Sequence, residues 1–189
     1  MTTTATIRNK ETVLNYSWRT NCIPNQLIKD LRENVLKVGY TDGGVGKDSA
    51  VDPGKRVVRV SFPDRKYTKP FARIMGRFNK DKFGFDVDGI QPLRVLTYPV
   101  GGHYKFHSDT VINNPQSDHR KITLIAMLSD EFEGGAFILR ACGKEIDLTE
   151  KLIPGAAIAF PSYLEHRVTP VTSGIRQTAV LWGTGPRWK

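Results

Sequence analysis

The chain has 189 residues, 28 basic and 19 acidic, for a formal charge of +9 with histidine neutral. That length suits one core of ordinary size, and the charge favours anionic partners without indicating a fold. Cys22 and Cys142 are too few for a disulfide framework and lack zinc-knuckle spacing, no run approaches the ~20 apolar residues of a membrane helix, and no basic start precedes an apolar run; the expectation is a soluble, cytoplasmic protein with two buried thiols.

In chain order, residues 24–38 read as an amphipathic helix, with Leu27, Ile28, Leu31 and Val35 on one face, Pro24 in the first turn and Gly39 to stop it. Residues 41–55 hold Gly43, Gly44, Gly46 and Gly54 with Lys47 and Lys55 and little apolar content, which suits a mobile loop or a hairpin tip, able to act as a lid or simply to connect. A short strand follows over 56–62. A second helix is expected over 68–79, capped by Thr68, with Pro70 in its first turn and Phe71, Ile74, Met75 and Phe78 at helical spacing. Its Arg73 and Arg77, with Arg65, Lys66 and Lys69, read as a solvated basic face.

From Phe83 the pattern changes to short runs rich in Val, Ile, Phe, Leu and Thr between turn signals: 83–88, 91–98, 121–128, 136–139, 156–160, 165–171 and 175–182. Such spacing means a sandwich or a barrel-like jelly roll. Helices first and strands later suggests a mainly β fold with flanking helices packed outside one rolled sheet. One domain over 1–189 is expected, with a helical support region to about residue 82 and a jelly-roll core over about 83–185.

His107 and Asp109 stand two apart, and on an extended strand both would face one point. His166 is the best placed of the remaining histidines to complete a set of two imidazoles and one carboxylate, the facial arrangement of non-haem Fe(II) oxygen chemistry. His103 and His119 are expected to face solvent, and Arg167 to join an outer salt bridge. If residues 172–174 turn a hairpin, His166 lies opposite Val180, with Pro170 and Arg176 on the same face. Arg176 would then sit roughly 13 Å along the strand from His166, a gap that an extended diacid and an arginine side chain can fill.

These residues, taken together, carry a resemblance. In order they are Tyr98, Gly101, Tyr104, His107 and Asp109 at fixed spacing, then Phe132-Glu133-Gly134-Gly135, then Pro154-Gly155-Ala156 leading into Phe160-Pro161-Ser162, and last His166-Arg167-Val168 with Arg176 ten residues on. The chain resembles Fe(II)- and 2-oxoglutarate-dependent dioxygenases of the prolyl 4-hydroxylase type, including PKHD-type hydroxylases, most closely from about residue 91 to 182.

The resemblance implies a double-stranded β-helix, cupin-like core. It assigns His107, Asp109 and His166 to iron, Arg176 to the distal carboxylate of 2-oxoglutarate, and the Tyr98 hydroxyl to that same carboxylate, while Tyr104 is either a packing aromatic or a co-substrate contact. It further implies O₂ and ascorbate as co-reactants, and a substrate that is most readily a prolyl residue in a protein or peptide. A nucleic acid base or free amino acid with the same chemistry is the alternative, as is a catalytically silent binding module. The base-demethylating branch typically has a second arginine six residues after the first, where this chain has Trp182. Residues 110–120, like 41–55, are expected to close over the substrate.

Overall fold

Both predicted helices form, and for the expected reason. α1 (Asn25–Val38) buries Ile28, Leu31 and Val35 along one stripe and stops at Gly39, whose φ of 79° and N–H bond to the Val35 carbonyl close the last turn. α2 (Thr68–Phe78) buries Phe71, Ile74, Met75 and Phe78 and leaves Arg73 and Arg77 in solvent. Thr68 does not cap it. It is already helical, and its Oγ1 accepts the Leu93 N–H at 3.5 Å, tying the helix to the strand region instead. The protein is described by a computed structural model over residues 16–43, 52–110 and 119–188. The central parts of both expected lid segments, 44–51 and 111–118, lie outside the described residues.

Fifteen strands complete the description. They are β1 (Ser17–Arg19), β2 (Thr41–Asp42), β3 (Arg56–Val57), β4 (Arg59–Ser61), β5 (Gly89–Ile90), β6 (Arg94–Tyr98), β7 (His103–His107) and β8 (His119–Met127). After them come β9 (Phe132–Gly134), β10 (Phe137–Ala141), β11 (Lys144–Asp147), β12 (Ala157–Pro161), β13 (Glu165–Val168), β14 (Val171–Gly174) and β15 (Arg176–Gly185). The large sheet runs β1-β12-β8-β15-β6-β4-β2 with β5 beside β15, the smaller runs β11-β10-β13-β7-β3, and β14 pairs β9. The region before residue 83 therefore supplies strands to both sheets as well as the two helices.

Period-two alternation gives the large sheet two buried faces. Val95, Ile122, Leu124, Ala126, Ala179 and Leu181 point to the helices, in one cluster with Leu31, Phe71 and Phe78. Leu96, Tyr98, Ile125, Met127, Val180 and Trp182 point the other way, in a second cluster with Phe137, Leu139 and Val168 of the smaller sheet. This is the jelly roll with helices outside that the element order implied. No described helix is long and apolar enough to cross a membrane.

Three expectations need correction. Residues 83–88 form no strand: a π-turn over Asn79–Phe83 ends at left-handed Gly84, and the Asn79 side chain takes both backbone groups of Phe85, at 2.8 and 2.9 Å. Residues 165–182 form no simple hairpin either. β13 pairs β7 and β10 whereas β15 pairs β6 and β8, so the chain changes sheets at Pro170, which has no N–H for a continuous ladder. Lastly, Cys22 is half-buried and Cys142 is exposed on a turn at φ 51°, so neither is a core thiol.

Phe71 is fully buried between α2 and the large sheet. Phe71→Ala should lower unfolding free energy by about 3–5 kcal/mol in urea denaturation followed by circular dichroism. A loss below about 1 kcal/mol would mean that α2 is not part of the same cooperative core.

Candidate active site

The change of sheets after Pro170 brings His166 and Arg176 onto facing walls of one cavity. On the smaller sheet His166 pairs with His107 and Leu139, and on the large sheet Arg176 pairs with Tyr98. Between the sheets lies a cavity of about 80 Å³ lined by His107, Asp109, His166, Arg176, Tyr98 and Tyr104 together with apolar Leu96, Ile125, Phe137 and Val180. All six side chains that the sequence singled out thus meet in one place.

His107 ends β7, but Asp109 lies beyond the strand, so the simple picture of two same-face strand residues is incomplete. A bend carries the carboxylate inward, held by the Asp109 and Thr110 N–H groups donating to the Ser162 carbonyl at 2.9 and 3.1 Å. Asp109 Oδ1 stands 3.7 Å from His107 Nε2, and Oδ2 stands 3.7 Å from His166 Nε2. Each imidazole Nδ1 faces a backbone carbonyl, Lys105 at 2.8 Å and Leu164 at 3.2 Å, which fixes the proton there and leaves Nε2 as the inward lone pair. The buried Thr123 hydroxyl donates to Asp109 Oδ2 at 2.8 Å and can accept from Ser162 Oγ at 2.9 Å.

Electrostatics agree with that arrangement. Burial, then the charge of His166, pushes the His107 imidazole down to about 3, so it is neutral at physiological pH. Burial alone would raise the Asp109 carboxyl, but the imidazoles of His166 and His107 outweigh it and hold it below the ordinary carboxylate range. Two imidazoles and one carboxylate, with ligand atoms all within 4.8 Å of one another, suit a divalent transition metal with open positions. Among the described residues no other cluster of three such groups comes together.

Arg176 is the largest fully buried side chain, 1% exposed. No carboxylate among the described residues pairs with it, and its buried Nε has no hydrogen-bond partner. Its guanidinium carbon lies 5.2 Å from the Tyr98 ring centroid. Burial lowers the Arg176 pKa and raises that of Tyr98, each opposed by the other's charge. A buried cation without a carboxylate partner is stabilised by any anion brought within hydrogen-bond reach.

Tyr104 reaches the cavity through a feature that no sequence period shows. A step of two residues on β13, from His166 to Val168, is matched by three on β7, from His107 to Tyr104. That bulge puts Tyr104 and His107 on one face, where their rings stack at 3.4 Å between centroids, and Arg56 lies 4.6 Å over the Tyr104 ring.

Other histidines divide. His103 is half-buried, whereas His119, expected in solvent, is 3% exposed and its Nδ1 accepts the Trp188 N–H. Arg167 pairs with Glu145 on the outer face as expected. Sequence reasoning missed Arg56, Arg94, Arg120, Thr123 and Trp182 in or beside the cavity. Counting by twos from Tyr98 to Arg94, and from Arg176 to Trp182, would have found two of them.

Residues 93–184 match the family model of the 2OG-Fe(II) oxygenase superfamily. Among its curated relatives is a PKHD-type hydroxylase of Parvibaculum lavamentivorans, 28% identical over 169 residues, covering 82% of this chain and 72% of the relative. Several further PKHD-type hydroxylases match over about half of this chain, which spans 42% of their length. Two solved structures share the fold. A prolyl hydroxylase from Trichoplax adhaerens, in complex with a hypoxia inducible factor peptide fragment, has a TM-score of 0.74 at 19% identity, covering 90% of this chain and 83% of that one. A viral collagen prolyl hydroxylase from Paramecium Bursaria Chlorella virus-1, as its 2OG complex, has a TM-score of 0.71 at 18% identity, covering 91% and 97%.

Gly135 makes room for the buried guanidinium. At φ 60°, a Cβ there would lie 2.7 Å from Arg176 Cδ and 3.1 Å from Val171 Cγ2. Gly135→Ala should therefore destabilise the protein by about 1–3 kcal/mol in denaturant titration and displace the Arg176 side chain in a crystal structure. An unshifted Arg176 with unchanged stability would contradict this packing.

Proposed function

We propose that the protein is an Fe(II)- and 2-oxoglutarate-dependent dioxygenase, in a single domain. It would couple decarboxylation of 2-oxoglutarate to succinate and CO₂ with hydroxylation of a C–H bond in a prolyl residue of a protein or peptide. The observation that carries the reading is the shared cavity: a buried guanidinium without a carboxylate partner faces two imidazoles and a carboxylate whose lone pairs converge. His107, Asp109 and His166 would hold the metal. Arg176 would grip the distal carboxylate of 2-oxoglutarate, with the Tyr98 hydroxyl beside it. The prolyl reading draws on the structural neighbours named as prolyl hydroxylases, one of them with a bound peptide.

When bound, Fe(II) would activate O₂, whose oxidising equivalents are shared between decarboxylation of 2-oxoglutarate and the C–H bond, and ascorbate would return oxidised iron to Fe(II). The protein's own work is orientation and exclusion of water. Lys105 and Leu164 carbonyls hold the two imidazoles in one tautomer, and Thr123 holds the Asp109 carboxylate. Stacked Tyr104 covers one face of His107, and Leu96, Ile125, Phe137 and Val180 keep the cavity apolar between the polar ends.

Incubation of candidate peptides with the protein, Fe(II), 2-oxoglutarate and O₂, followed by mass spectrometry, should locate one added oxygen on proline. An oxygen on a nucleic acid base or a free amino acid, with prolyl peptides untouched, would overturn the substrate reading. His166→Ala should abolish tight Mn(II) binding in calorimetry, and retained affinity would remove His166 from the metal site. Arg176→Ala should leave Mn(II) binding in place but weaken 2-oxoglutarate by about 2–5 kcal/mol, because the carboxylate loses a buried charge-assisted partner. Equal affinity in mutant and parent would contradict that role.

A further inference from the structure

Arg176 is not the only guanidinium in the cavity. Arg94 and Arg120 also line it, and neither has an assigned role. Arg94 stands at the start of β6, on the same face as Leu96 and Tyr98. Arg120 stands on β8 and donates from Nε and Nη2 to the neutral Gln91 Oε1, at 3.1 and 2.9 Å, and from Nη1 to the Asp109 backbone carbonyl at 3.3 Å. Both guanidinium groups lie against the Trp182 ring, Arg120 4.0 Å and Arg94 4.9 Å from its centroid. Arg94 also lies 5.3 Å from the ring of Phe62, which is 52% exposed. A ladder of Phe62, Arg94, Trp182 and Arg120 thus leads from the surface to the metal-type cluster.

Stacking fixes a guanidinium plane but leaves its charge in place. Among the described residues no carboxylate forms an ion pair with Arg94 or Arg120, and the buried Arg94 Nε has no hydrogen-bond partner. Burial lowers the pKa of both; for Arg94 the charges of Arg120 and Arg56 act in the same direction, with Asp109 opposing. Loading the site does not relieve this. In formal charge Arg176 cancels Asp109 and a divalent metal cancels the 2-oxoglutarate dianion, so none of these offsets Arg94 or Arg120. Held together and partly out of water, they are stabilised by a shared anion.

We infer that Arg94 and Arg120 determine substrate specificity by receiving a carboxylate next to the residue that is hydroxylated, so that the substrate is an acidic peptide segment. This rests on the prolyl reading of the same cavity. A planar carboxylate matches the fork of a stacked guanidinium, and the formal charge of +9 draws acidic segments to the protein.

The test uses the full chain loaded with Mn(II) and 2-oxoglutarate without O₂. Probes are synthetic pentapeptide pools with central proline flanked by Asp or Glu, by Asn or Gln, by Lys or Arg, or by phosphoserine, and the acidic pool with proline replaced by alanine. Affinity and the Mn(II)-induced broadening of peptide proton resonances are measured together. The acidic pool should bind roughly tenfold tighter than the neutral pool, the size of one modest ion pair, and show the broadening. Arg94→Gln and Arg120→Gln should each shrink that ratio, and Arg94→Lys should restore part of it. Equal binding of acidic and neutral pools, absence of broadening, or a full preference surviving both Gln variants would overturn the inference. Tighter binding of the phosphoserine pool would overturn the carboxylate assignment. If the alanine pool binds and broadens as well as the proline pool, the acidic specificity stands and the prolyl reading fails.

Discussion

A positive charge buried at Arg176 without a carboxylate partner is the constraint on which the cavity depends. Placing an ion in a protein interior costs several kcal/mol unless a well-placed counter-charge offsets it. Here the strand that carries Arg176 is the most central of the large sheet, paired on both sides, so the side chain cannot swing out to water. Its neighbours are shaped around it: left-handed Gly135 leaves the space, and Tyr98 lies beneath the guanidinium. On the proposed function the offsetting charge would come with 2-oxoglutarate, whose other end would be held by a metal on His107, Asp109 and His166.

The two faces of the large sheet divide stability from chemistry. Its helix-facing side is mainly apolar, with Val95, Leu124 and Leu181 packing on α1 and α2 and the buried Gln177–Thr97 hydrogen bond at one end. Strands anchored in that way can carry polar and charged groups on the opposite face at little risk to the fold. The price is visible in the cavity, where Arg176 and Arg94 keep buried nitrogen atoms without protein partners. Unsatisfied groups of this kind concentrate at functional sites.

Much of this was legible in the sequence because it follows local periods. Leu31 and Phe71 at helical spacing give the helices, and the alternating runs give the sheets. His107, Asp109, His166 and Arg176 were legible as a set, by their spacing and by the family pattern that they share with Tyr98 and Gly135. What escaped was set by pairing partners that no local window contains. Phe83, Phe85 and Val87 alternate like a strand, yet the Asn79 side chain satisfies the Phe85 backbone. The bulge in β7 that stacks Tyr104 on His107 exists only against β13. The hairpin count from residues 172–174 failed because Pro170 ends one ladder and the chain joins the other sheet. Arg94 and Arg120 were overlooked because arginine on a strand is ordinarily a surface residue; Arg94 follows Tyr98 inward by twos, whereas Arg120 is turned inward by the irregularity between β8 and β15 beside Ile122.

The most direct measurement is a crystal structure of the full chain with Mn(II) and 2-oxoglutarate, using anomalous scattering to locate the metal. The expected density has Mn(II) bonded to His107 Nε2, Asp109 and His166 Nε2, with 2-oxoglutarate spanning the cavity and its distal carboxylate on Arg176. Metal bound elsewhere, or a carboxylate that leaves the Arg176 guanidinium untouched, would contradict the assignment of this cavity.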